Sequence, residues 1–160
     1  MIRCLYFIIL ALTLLMIPVA HGQSRLPVPA KSDVPYIIHA ASLVETEQSE
    51  ANEEAHKNER LYVVPGVVSG ARTPLAGPEF LFQSESINPH DLELYRFELK
   101  NGRRELLFQR KRKILAEPLR ITVFPMNEDL VRIRVYESSS TGEYCLTPNS
   151  SNTVFCFTVY

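Results

Sequence analysis

Across residues 61–160, short β-branched and aromatic runs alternate with Pro and Gly breaks, a cadence that confines the segment to an all-β sandwich or barrel. Strands are predicted at 61–64, 79–83, 92–100, 103–112, 119–124, 130–137, 143–147 and 154–160. Pro65-Gly66, Asn88-Pro89 and the stretch 125–129 supply breaks between them. No stretch repeats at a fixed period, which leaves a solenoid or propeller without support.

Asn101-Gly102 tolerates positive φ at both positions and predicts a two-residue type I′ hairpin between 92–100 and 103–112. That register sets Tyr95 opposite Phe108 and Phe97 opposite Leu106 on one side. Arg96, Glu98, Arg103 and Glu105 then lie on the other. Leu92 and Leu94 break the parity, which signals a bulge or a doubly buried end. A second hairpin is expected around Pro125 to Asp129, with Leu119, Ile121 and Val123 on one strand and Val131, Ile133 and Val135 on the next. Arg120, Arg132 and Arg134 point outward in that arrangement.

The N-terminus fixes the expected compartment. Arg3 is the only charge before a nearly unbroken apolar core, and Pro18 precedes Ala20-His21-Gly22, a small-x-small cleavage site. Residues 1–22 therefore read as a secretory signal, in preference to an uncleaved anchor at the short end of spanning length. The protein is expected to be secreted or periplasmic, with no stable membrane span after cleavage.

Cleavage leaves Cys145 and Cys156, and an even pair in an oxidising compartment is most simply a disulfide. A terminal hairpin with the four-residue tip Asn149-Ser150-Ser151-Asn152 places them directly opposite each other, within bridging range. The same register groups Tyr144 with Phe157 and Leu146 with Phe155 on a core face. Glu143, Thr147, Thr158 and the bridge are assigned to an outer face. Redox or metal chemistry would need a C-x-x-C spacing or a third ligand, and neither is near.

Upstream, residues 23–60 read as an extension of the 61–160 domain. Pro27, Pro29 and Pro35 mark a linker, Tyr36-Ile37-Ile38 offers a short strand, and 42–60 is expected to be a marginal acidic helix capped by Ser42. Val44, Ala51 and Ala55 give that helix only a thin apolar stripe. The whole chain has a formal net charge of −1, or −2 without Arg3, so nothing calls for nucleic acid. Local charge is less even. Glu45, Glu47, Glu50, Glu53, Glu54 and Glu59 crowd one segment, while Arg103, Arg104, Arg110, Lys111, Arg112 and Lys113 crowd another. These cations are candidate contacts for an anion or partner. Such runs are first read as solvated faces; of the sharper readings, docking of the acidic segment on the basic strands needs no outside molecule and ranks above an external partner, and edge protection is favoured over anion gripping.

Gly142-Glu143-Tyr144 has the spacing of a tyrosine corner in immunoglobulin-like sandwiches, although Cys145 follows the tyrosine too closely for an antibody-type domain and the chain has no Trp. The expected fold is an immunoglobulin-like antiparallel β-sandwich. Tyr36-Ile37-Ile38-His39, the Glu-rich segment, Tyr62-Val63-Val64-Pro65-Gly66, Asn101-Gly102-Arg103-Arg104-Glu105 and Gly142-Glu143-Tyr144-x-Leu146 span most of the chain beyond the leader. Through these motifs it resembles a group of secreted proteins from Gram-negative bacteria of unassigned role. The resemblance implies export and a β-domain, and it carries over no functional residue.

No nucleophile elbow, phosphate loop, zinc-ligand spacing or dinucleotide fingerprint is present, so no cofactor, metal or catalytic residue is assigned. His39, His56 and His90 are scattered and read as surface or turn residues. Asn149-Ser150-Ser151 is a glycosylation sequon only in a host that modifies such sites. The expectation is an exported, non-catalytic module that binds or scaffolds an envelope or extracellular protein or polymer. The alternative is a small secreted hydrolase or inhibitor with a loop-built site.

Overall fold

The computed structural model of the chain describes residues 27–56, 58–111, 113–136 and 139–160; the expected leader, 1–22, and Arg112 lie outside the described residues. The strands are β1 (Pro35–His39), β2 (Ser42–Glu45), β3 (Glu47–Glu50), β4 (Asn52–His56), β5 (Glu59–Val64), β6 (Arg72–Thr73), β7 (Glu79–Gln83), β8 (Leu92–Lys100), β9 (Arg103–Arg110), β10 (Lys113–Ile114), β11 (Ile121–Pro125), β12 (Leu130–Val135), β13 (Gly142–Pro148) and β14 (Thr153–Val159). A 3-10 turn, Pro89–Asp91, leads into β8. Among the described residues there is no α-helix. No helix long and apolar enough to cross a membrane is present among the described residues.

Two sheets pack face to face, antiparallel throughout except where β6 runs parallel to β14. The smaller runs β11-β12-β7-β1-β2, and the larger runs β3-β14-β13-β8-β9-β5-β4, with β6 and β10 appended. Alternation places Phe80, Phe82, Ile133 and Ile37 from the small sheet against Tyr144, Leu146, Phe155 and Phe157 from the large one. Phe157 meets Phe80 edge-on at 5.1 Å and stacks on Tyr144 at 5.7 Å. The Tyr144 hydroxyl donates to the Ser140 carbonyl at 2.7 Å, the backbone tie of a tyrosine corner.

The larger sheet curls on itself. Its two edge strands, β3 and β4, are consecutive in the chain and joined by Ala51 alone, and one residue cannot bridge the edges of a flat sheet. The curl encloses a second core made of Ala51, Val64, Tyr95, Phe97, Val154 and the Cys145–Cys156 bridge. β8 thus has two apolar faces: Leu92 and Leu94 enter the core between the sheets, while Tyr95 and Phe97 point into the curl. That doubly buried end explains the broken parity without a bulge.

The structure departs from two expectations. Residues 42–60 do not form an acidic helix; they supply β2, β3, β4 and the start of β5. The run bends at Thr46 and Ala51, small residues only 2% and 5% exposed. Thr46 secures the first bend by donating its hydroxyl to the Pro35 carbonyl at 2.7 Å, and the Ala51 N–H secures the second by donating to the Asn152 carbonyl at 2.8 Å. Helix propensity in a Glu-rich segment is worth only tenths of a kcal/mol per residue. Ladder pairing with β14 and β5 overrides it. Glu143, Thr158 and the bridge, expected on an outer face, are instead buried, because the curl covers them.

Candidate functional site

Inward-pointing residues of the curl form a graded interior. At one end Arg104, 1% exposed, donates to Ser69 Oγ at 2.7 Å, to the Pro65 carbonyl at 2.6 Å and to Glu47 Oε1 at 2.6 Å. Glu143 Oε2 lies 3.8 Å from the same guanidinium. It accepts from the Ser69 N–H and hydroxyl, while its Oε1 accepts from the Thr158 hydroxyl. A buried guanidinium needs such a set of acceptors to offset its lost hydration. The network also fastens the 65–70 loop across that end, since Glu47 Oε2 accepts from the Gly70 N–H at 2.6 Å.

The disulfide occupies the middle. Cys145 and Cys156 face each other in the β13–β14 ladder, both fully buried, as the hairpin arithmetic of the sequence requires.

At the opposite end the interior opens as a cleft of about 380 Å³. Along its wall β8 and β9 stay paired for only three positions, from Lys100↔Arg103 to Glu98↔Glu105. Beyond these, the 115–119 segment wedges between the strands. Leu115 and Ala116 donate to the Phe108 carbonyl, and Leu119 donates to the Leu94 carbonyl. Tyr95 and Phe108, expected as a cross-strand pair, still meet edge-to-face with centroids 6.5 Å apart. Tyr62, Phe97 and Leu106 complete the apolar wall. Glu53, Arg60, Glu93 and the β13–β14 tip with Asn149 form the mouth.

Both phenols in the cleft donate to carboxylates, Tyr95 to Glu93 at 2.8 Å and Tyr62 to Glu53 at 3.4 Å. Burial, reinforced by the Glu93 carboxylate, pushes the Tyr95 phenol above the ordinary tyrosine range, so it stays a neutral donor. The cleft therefore offers ring faces and carboxylate oxygens, which suit recognition of a bound group.

The basic residues singled out from the sequence do not gather at this cleft. Arg103 makes a two-point contact with Glu54 at 2.8 and 3.1 Å and a third with Glu105 at 2.7 Å. Arg104 is the buried cation described above. Arg110 pairs with Glu59 at 2.7 Å. Lys111 turns the chain with φ of 56°, and Lys113 lies exposed on β10. The acidic segment thus meets the basic strands within the chain, the match ranked above an outside partner, although as strands and not as a helix. His39 is exposed on β1, His90 sits in the 3-10 turn, and His56 ends β4. Among the described residues no three His, Cys, Asp or Glu side chains cluster as a metal site.

The sequence did show Tyr95, Phe97, Leu106 and Phe108 on one hairpin face. It did not show that their strands part, because the wedge at 115–119 is a tertiary event. No family model, no curated protein and no solved structure matches the chain.

Proposed function

We propose that the chain is an exported, non-catalytic β-sandwich module that binds an envelope or extracellular component through the aromatic cleft of its curled sheet. The cleft is the observation that carries this reading: a concave site that joins aromatic walls to convergent polar groups at its mouth is a usual form of binding site. Its walls stand on strands locked around a disulfide, so the site is preorganised and little ordering is needed on binding. The bridge is consistent with an oxidising compartment.

A photo-crosslinking residue placed at Ser150, on the cleft mouth, tests the reading against the same residue at Glu128, in the β11–β12 turn of the other sheet. Discrete adducts from the Ser150 site alone, on exported protein, are expected. Identical patterns from the two sites, or none from Ser150, would contradict it.

A further inference from the structure

We propose that the cleft recognises a compact ammonium group, primary or quaternary, carried by the component that the module binds; this rests on the cleft being the module's binding site. Four rings line the cavity, Tyr62, Tyr95, Phe97 and Phe108, and three of them meet edge-to-face. Phe108 stands nearly perpendicular to Tyr62, at 85° and 5.7 Å, and is also edge-to-face with Tyr95, at 71° and 6.5 Å. Rings so arranged make a corner rather than a stack. The negative quadrupole of a ring face attracts a cation within about 6 Å of its centroid.

Charge decides the class of ligand. Glu93 lines the cavity, accepts the Tyr95 hydroxyl, and among the described residues has no cationic partner. Arg60, the cation at the mouth, is already held by Glu53 at 3.1 Å. The lining therefore carries one unbalanced carboxylate beside these ring faces. An anion would be repelled by it, and a neutral apolar group would strip its water without replacing the lost interaction. An ammonium group satisfies both the carboxylate and the rings, and about 380 Å³ is ample for a trimethylammonium or butylammonium end.

The test is an NMR titration of the intact, oxidised protein with choline, with butylammonium, and with 3,3-dimethyl-1-butanol, the neutral isostere of choline. Saturable shifts at Tyr62, Tyr95 and Phe108 are expected with both cations, with the isostere at least about tenfold weaker. Glu93→Gln keeps an acceptor for Tyr95 and should weaken choline about tenfold without moving the unfolding midpoint. Phe108→Leu should weaken it too, whereas Glu98→Gln, on the strand of Glu93 but outside the cleft, should not. Equal affinity for the isostere, or no response to either cation, would overturn the inference. A Ser150 crosslink that persists in that event would leave the binding reading standing and remove only the ammonium assignment.

Discussion

Arg104 and Asp33 show how single side chains hold this fold. Arg104→Ala strands Glu47 and Glu143 without their cation, and breaking a buried pair from one side typically costs about 3–5 kcal/mol. Urea unfolding should show a loss of that size; a change below about 1 kcal/mol would mean that the network is not buried as described. Asp33 works at the surface, where its carboxylate accepts the N–H groups of Glu85, Ser86 and Ile87 and the Ser86 hydroxyl. Partial burial alone would raise its pKa, but the Ser86 hydroxyl and the three amides outweigh it and hold the carboxyl below its ordinary value. Because the folded value lies below the unfolded one, the stabilisation is complete above about pH 4 and fades as pH falls through the folded value. The wild type should lose stability below that pH more steeply than Asp33→Asn, and parallel acid profiles would contradict this.

Hairpins are the elements in which local chemistry decides the outcome. Asn101 and Gly102 adopt φ of 51° and 75°, both positive as a type I′ turn needs, and glycine meets that need without a Cβ penalty. The terminal hairpin is equally local: its four-residue tip fixes the register, and the register fixes the bridge. Trypsin should release both cysteines in one peptide, residues 135–160, lighter by two hydrogens than its dithiol form, since no Lys or Arg interrupts it. Replacing both cysteines by Ala should lower stability by up to about 3 kcal/mol, and less if the denatured hairpin stays compact. The strands of these hairpins were legible because period-two alternation and turn residues act over a few positions. The acidic run was not. Its acids, read as a helix surface, are cross-strand partners: Glu54 needs Arg103, Glu47 needs Arg104 and Glu59 needs Arg110, each about fifty positions away.

At the scale of the molecule, closure of the large sheet creates both the second core and the cleft. A sheet with a two-sided interior cannot be recognised from one strand, because alternation only distinguishes faces and does not say what covers them. Cys145, Glu143 and Thr158 share a face that reads as solvent-facing until β3, β4 and β5 are wrapped over it. Ala51 is the hinge of that wrap. Ala51→Leu should overpack the bend and cost about 1–3 kcal/mol. It should also disturb choline binding, since Ala51 lines the cleft. An unchanged unfolding midpoint would show that the bend has room to spare.

Backbone NOE spectroscopy of the oxidised protein tests the closure most directly. Cross-strand contacts of Gln48 with Phe155 and of Glu53 with Tyr62 are expected in the same sample, because one continuous acidic run supplies both edges of the large sheet. Sequential amide–amide contacts running through residues 42–56, the signature of a helix, with neither cross-strand contact, would contradict it.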